Sequence, residues 1–252
     1  MIRRLGSMVV VVALASAAAA WLAPSPSIGA SSRCPLPVFG PGSQYHPQID
    51  PRNFGPNVDN PLFPLRPGRT LVYAGVKDGQ NAVDIFAPSS RTKRIDGVTT
   101  RIVEDRLYLD GVLEERTSDY YAQDRCGNVW YFGEDTAELD EDGNVVSTEG
   151  SFHAGVDGAQ PGVFMQRHPQ IGRQFRQEWL PGEAEDVFKA IARKAPVTVP
   201  FGSFKHALLT QETTALEPGV VDHKYYVRGI GEVTEVSVAG AQEKLQLVEI
   251  IS

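Results

Sequence analysis

Carboxylates, phenols and amides are concentrated in one stretch of this chain, Val112–Asp135 (VLEERTSDYYAQDRCGNVWYFGED). Glu115, Thr117, Asp119, Tyr121 and Gln123 stand at alternate positions, so a strand would carry them in one row. Glu114, Arg116, Ser118, Tyr120 and Ala122 would form the other row. Glu115, Asp119 and Gln123 recur every fourth residue, about 13 Å apart at roughly 3.3 Å per residue. Such a row suits orientation of an elongated ligand, or an acid–base pair of carboxylates. It could equally face water, or lie inside fully hydrogen-bonded.

Asp105 interrupts an apolar row of Val103, Leu107 and Leu109, where a carboxylate needs a partner or a task. Trp130, Tyr131 and Phe132 on the return run, with Trp179, would supply aromatic wall. The candidate ligand-binding set is therefore Asp105, Glu115, Asp119, Tyr121, Gln123, Trp130, Tyr131 and Trp179. Tyr121 or Tyr226 beside Lys224 would make a proton-transfer pair. The histidines are scattered, and His153 and His168 are the two that share one loop. Glu183 and Glu185 would share a strand face; collected with Glu178, Asp186, Glu115 and Asp119 they could hold calcium, or pair with Arg101, Arg116, Arg173 and Arg176. No other cofactor is implied, and Asp140–Asn144 reads as a hairpin turn because the downstream glutamate of a calcium loop is missing. Phosphate-loop, dinucleotide, zinc-protease and serine-hydrolase motifs do not occur.

About ten short alternating runs position these groups. They are Thr70–Val76, Ala82–Phe86, Thr99–Leu109, Leu113–Asp124, Val129–Glu134, Gln174–Leu180, Ala184–Ile191, Phe204–Thr213, His223–Val227, Glu232–Val238 and Lys244–Ile251, with short runs at Val145–Ser147 and Val197–Val199. Lys77–Gly79, Asp110-Gly111 and Asp124–Asn128 give turns between them. Glu183–Lys194 also tolerates a helix, and Gly150–Arg173 lacks either period and reads as a long ordered loop. The expected fold is all-β, an antiparallel β-barrel or strongly curved half-barrel over 68–252, with a β-sandwich as the alternative. Residues 31–67 form a Pro/Gly-rich arm whose Phe54, Leu62, Phe63 and Leu65 argue for packing on the domain.

Residues 1–30 carry Arg3-Arg4, an apolar run and a small-residue end at Ile28-Gly29-Ala30, the pattern of a secretory signal peptide; a retained anchor is the alternative. The protein is then expected in the envelope or outside the cell, with no stable membrane span after cleavage. In that compartment the only two cysteines, Cys34 and Cys126, read as a disulfide rather than a metal site. The net charge of -7, without a basic patch, argues against sequence-independent nucleic-acid binding.

Tyr121–Asp135 (YAQDRCGNVWYFGED) and Asn60–Gly68 (NPLFPLRPG) resemble a signature of uncharacterised secreted bacterial proteins, a resemblance that implies no activity. VPFGSF (Val199–Phe204) and KYYVRGIGEVTE (Lys224–Glu235) resemble the closing hairpins of lipid-carrier-like half-barrels of bacterial envelopes, over the C-terminal quarter of the chain. Binding of a small amphipathic or apolar ligand is the leading expectation. A carbohydrate-active lyase or hydrolase and a pocketless structural module are the alternatives.

Overall fold

The computed structural model describes residues 34–252, which belong to one compact unit, Ser32–Ser252. The signal-peptide reading of residues 1–30 lies outside the described residues. No described helix is long and apolar enough to cross a membrane.

Strand formation follows the Asp-Gly pairs. Asp78-Gly79, Asp96-Gly97 and Asp110-Gly111 all take positive φ at both positions, the geometry that matches the twist of the flanking strands. They join β2 (Thr70–Lys77), β3 (Gln80–Ile95), β4 (Val98–Leu109) and β5 (Val112–Asp124) into a meander. Before it lies β1 (Phe54–Gly55), a short strand of the arm paired with the end of β5. β6 (Val129–Leu139) completes the central hairpin and carries the small partners β7 (Val145–Ser147) and β8 (Phe152–His153) before β9 (Gln160–Met165). β10 (Gln174–Arg176), β11 (Glu178–Trp179), β12 (Val187–Val199), β13 (Gly202–Thr213), β14 (Val221–Val227), β15 (Gly231–Ala239) and β16 (Glu243–Ile251) follow, and β16 pairs back onto β2.

The sheet runs β10-β12-β13-β14-β15-β16-β2-β3-β4-β5-β6-β9-β11, thirteen antiparallel strands in a nearly closed barrel. Its two ends meet in one segment. Gln174–Arg176 bonds to β12, and two residues later Glu178–Trp179 bonds to β9. Gln177 between them donates its amide to the Asp186 carbonyl at 2.8 Å. Backbone approaches so closely here that a Cβ on Gly162 would lie 2.1 Å from the Gln177 carbonyl carbon. Gly162→Ala should therefore cost about 1–3 kcal/mol by forcing the seam apart. Gly202→Ala, where a Cβ meets nothing nearer than 3.5 Å, should stay within about 0.5 kcal/mol. Urea melts of the two variants decide the point.

Several sequence expectations are corrected. β3 extends far beyond Ala82–Phe86, because a register shift between Pro88 and Thr92 absorbs the proline. Ser89 patches the gap, its hydroxyl donating to the Ile102 carbonyl at 2.9 Å while its own carbonyl accepts from Arg101 at 3.1 Å. The loop expected over Gly150–Arg173 contains β8 and β9. The run Gln174–Leu180 divides at Gln177, and the Glu183–Lys194 region is strand from Val187, continuous with Val197–Val199.

Two layers of core result. Inside the barrel Val103, Tyr121, Tyr131, Met165, Leu208 and Tyr226 pack against Val58, Leu62, Phe63 and Leu65 of the arm. Outside it, Trp130, Phe132, Phe175 and Phe188 form a second cluster against Phe54 and Leu36. The arm thus both wraps the barrel and inserts into it. Gln123 fixes the insertion: its Oε1 accepts from the Asp59 and Asn60 amides at 3.0 and 2.8 Å. Cys34 and Cys126 are disulfide-bonded, tying the start of the arm to the β5–β6 turn.

Candidate functional site

A chamber of about 170 Å³ lies within the barrel under the inserted arm. Phe63, Pro64 and Leu65 of the arm, Leu71, Phe86, Phe164 and Ile230 make it apolar on one side. Asp84 (β3), Asp105 (β4), Glu232 and Glu235 (β15) and Lys224 (β14) make it polar on the other, with Tyr73 and Tyr121 between.

The aromatic side is rigid. The Phe63 ring lies 5.8 Å from Phe86, 5.2 Å from Tyr121 and 4.5 Å from Phe164, and Tyr121 stacks on Tyr131 at 4.8 Å. Such contacts favour one arrangement of rings over many. The polar side is short of cations. Lys224 is bound to Glu212 at 3.3 Å and Glu235 at 3.2 Å, and those two carboxylates raise its pKa well above the ordinary value although burial works against them. Burial, and then the neighbouring carboxyls, push Asp84 up to about 6 and Glu232 up to about 8; Asp105 is raised well above the carboxylate range by burial and by Asp84. Asp84 Oδ1 is buried without a partner among the described residues.

A second acidic group continues behind the chamber. Tyr131 donates its hydroxyl to Asp119 Oδ1 at 2.6 Å, and burial raises Asp119, Glu134 and Glu178 well above the usual range. Asp119→Asn keeps the acceptor for Tyr131 and removes the ionisation, so stability at pH 8 should hold or rise by about 1 kcal/mol. Asp119→Ala strands the buried hydroxyl and should cost about 1–3 kcal/mol. Paired denaturant melts at pH 8 test both; a larger loss in the asparagine variant than in the alanine one would contradict this assignment.

Of the sequence candidates, Asp105 and Tyr121 line the chamber, and Asp119 and Tyr131 form its buried backing. Glu115 accepts from Thr117 at 3.0 Å, away from the lining. Gln123 serves the arm, as described above. Trp130 belongs to the outer cluster, where its indole donates to Asp124 Oδ2 at 3.2 Å. Trp179 sits against Gly42 of the arm with the Arg176 guanidinium 4.2 Å above its ring. Tyr226 and Lys224 meet on one carboxylate: the Tyr226 hydroxyl, raised by burial, donates to Glu212 at 3.4 Å while Lys224 lies 3.3 Å from the same group.

Glu183 and Glu185 are corrected from a strand face to a turn: the Leu180–Ala184 bridge closes it, and Glu185 accepts the Gly182 amide at 2.8 Å. Among the described residues, buried Glu178 and exposed Glu183 are not gathered into a common set of ligands. The group of Cys34, Asp124 and Cys126 with metal-like spacing is occupied by the disulfide. His168 is exposed, whereas His153 Nε2 lies 2.8 Å from Asp135 Oδ1. Asp135 also takes Lys93 at 2.8 Å and the Tyr120 hydroxyl, beside a shallow cavity lined by Glu134, Ser151 and His153.

Asp84, Glu232 and Glu235 were not among the sequence candidates. A register shift between Tyr225 and Tyr226 explains the pair on β15: Glu232 opposes Tyr226 and Glu235 opposes Lys224, so residues three apart face the same side. The same device between Asp119 and Tyr121 brings Tyr131 and Glu134 inward together.

No protein-family model matches the chain, and no curated protein matches it. Two solved structures are similar to it in shape. One is a protein assigned as exported, with a YmcC-like fold, from Bacteroides fragilis: 12% identity, 76% of this chain and 99% of that chain covered, TM-score 0.44. The other is a protein assigned as a lipoprotein from Parabacteroides distasonis: 10% identity, 75% and 97% covered, TM-score 0.40. Likeness at this level transfers neither a ligand nor an activity.

Proposed function

We propose that the chain is an exported envelope protein that binds a small amphipathic ligand in the barrel chamber. The observation that supports this is the division of one cavity into a packed aromatic side and a polar side whose carboxyls outnumber its single lysine. Barrels of this kind admit ligands where aromatic wall and a few convergent polar groups fix an orientation. At about 170 Å³ the chamber is close to the roughly 150 Å³ engineered cavity that takes up benzene, and below the usual range for drug-sized ligands. The occupant is therefore one ring or a short chain, and a full lipid would require Phe63 and the arm to withdraw. The signature Tyr121–Asp135 fits this reading as the frame of the site: Asp124 Oδ1 accepts the Cys126 and Asn128 amides, each at 2.9 Å, and builds the turn that carries the strands.

The alternative of a proton-transferring enzyme is favoured by one observation, the contact of Tyr120, Lys93 and His153 around Asp135 at an open cavity. Native mass spectrometry of protein purified from its own host separates the two. A bound small molecule released by denaturation supports the chamber. A bare mass, combined with loss of biological function in His153→Ala, would transfer the function to the second cluster. The same preparation should begin near Ser31, and an intact Met1 in exported material would contradict export by signal cleavage.

A further inference from the structure

We infer that the ligand of the chamber carries an ammonium head, received by Asp84, Asp105 and Glu232, with its apolar body against Phe63, Phe86 and Phe164. The inference deepens the reading above and rests on it. Three observations carry it. The one ammonium of the protein in the chamber, Lys224, is already shared between Glu212 and Glu235, and none of Asp84, Asp105 and Glu232 forms an ion pair among the described residues. Asp84 Oδ1 is buried with no donor among the described residues, and the hydrogen bond its carboxyl does receive comes from another acid, Asp105, which can donate only while it keeps its own proton. The phenol paired with Asp84 across the sheet does not supply one, because Tyr73 donates its hydroxyl to the Glu232 carbonyl at 3.0 Å.

The surroundings bear on charge from every side. Asp84 is hydrogen-bonded to Asp105 on β4 and repelled by Asp119 on β5 and by Glu232 and Glu235 on β15; Asp105 also feels the charge of Glu115 on β5 and, on its own strand, of Arg106. Tyr73 on β2 and Lys224 on β14 complete the ring. Of these the two cations are committed elsewhere: Lys224 as above, and Arg106 to Glu104 at 2.6 Å. An entering ammonium would therefore meet an excess of carboxyls, of which Asp105 and Glu232 hold protons in its absence. Its arrival ionises them and releases protons to solvent, so binding weakens as pH falls.

Three probes of one size test this by isothermal titration at pH 7.5 on the protein purified from its exporting host: benzylammonium, benzyl alcohol and benzoate. Benzylammonium should bind about ten-fold or more tighter than benzyl alcohol, with benzoate weakest, and its advantage should shrink at pH 5. In Asp84→Asn/Asp105→Asn the ammonium preference should vanish while benzyl alcohol still binds, which also reports that the chamber is folded. Glu232→Gln, a milder change, should reduce the preference in part. Equal affinity for the ammonium and the alcohol, or a preference for benzoate, overturns the cationic head and leaves the chamber reading standing. Failure of all three probes to bind overturns both.

Discussion

Replacement of Cys126 by serine should lower the stability of the folded protein by about 2–5 kcal/mol. The bond to Cys34 spans 92 residues, and in the chain-entropy view a loop of that length restricts the unfolded chain by roughly 4 kcal/mol or more. The contacts within the loop decide how much of that restriction the native state keeps without the bond. Leu62, Phe63 and Leu65 are buried in the inner core, Asn60 and Asp59 are held by Gln123, and Tyr45 donates to the Pro161 carbonyl beside the seam. Releasing the start of the arm gives all these contacts a flexible partner. Urea unfolding of wild type with and without a reductant, beside Cys126→Ser, measures it. A midpoint indifferent to reductant would show that the arm is held by its packing alone.

How much of this was legible in the sequence depended on the kind of signal. Asp78-Gly79 and Asp110-Gly111 announced their hairpins because both turn positions require positive φ, which Asp and Gly adopt most readily. The disulfide was legible from two cysteines together with the reading of residues 1–30 as an export signal. Pro88 concealed half of β3, since a proline reads as a strand end unless a bulge is known to absorb it. The seam was hidden for a different reason: Gln174–Arg176 and Glu178–Trp179 belong to one run locally, and only tertiary pairing assigns them to opposite ends of the sheet.

The site was legible where one residue broke a row. Asp105 among Val103, Leu107 and Leu109 does line the chamber. The densest polar stretch misled in part, because Gln123, Asp124 and Asn128 spend their hydrogen bonds on the arm and the turn. Glu232 and Glu235 escaped notice because a regular strand would send them to opposite faces, and the bulge that unites them leaves no mark in composition.

Stability should fall as pH rises from about 5 to 8.5, by an amount of order 1.5 kcal/mol. The cause is the set of carboxyls inside the barrel. Burial, with lesser help from neighbouring charges, raises Asp84 to about 6 and Glu232 to about 8, and Asp105 well above the carboxylate range. In the unfolded chain these groups return to ordinary values near 3.8 and 4.5. Below the unfolded values both states are protonated and the folded state suffers no charge penalty. Between the unfolded and folded values the unfolded chain has released its protons while the folded barrel still holds them. There the folded state binds more protons than the unfolded, and unfolding becomes more favourable with every increment of pH. The window opens near pH 4 and runs through about 6 for Asp84 and about 8 for Glu232. A tenfold difference in proton affinity between the two states is worth about 1.4 kcal/mol. The carboxyls share surroundings and their contributions do not add, so Asp84 alone sets the scale. The melting temperature should then drop by about 3–6 °C between pH 5 and 8.5. Asp105→Asn removes one ionisation and its repulsion of Asp84, so it should flatten the slope and raise the melting temperature at pH 8.5. A melting temperature constant across the window, or rising through it, would mean that the barrel interior holds its carboxylates ionised against some counter-charge.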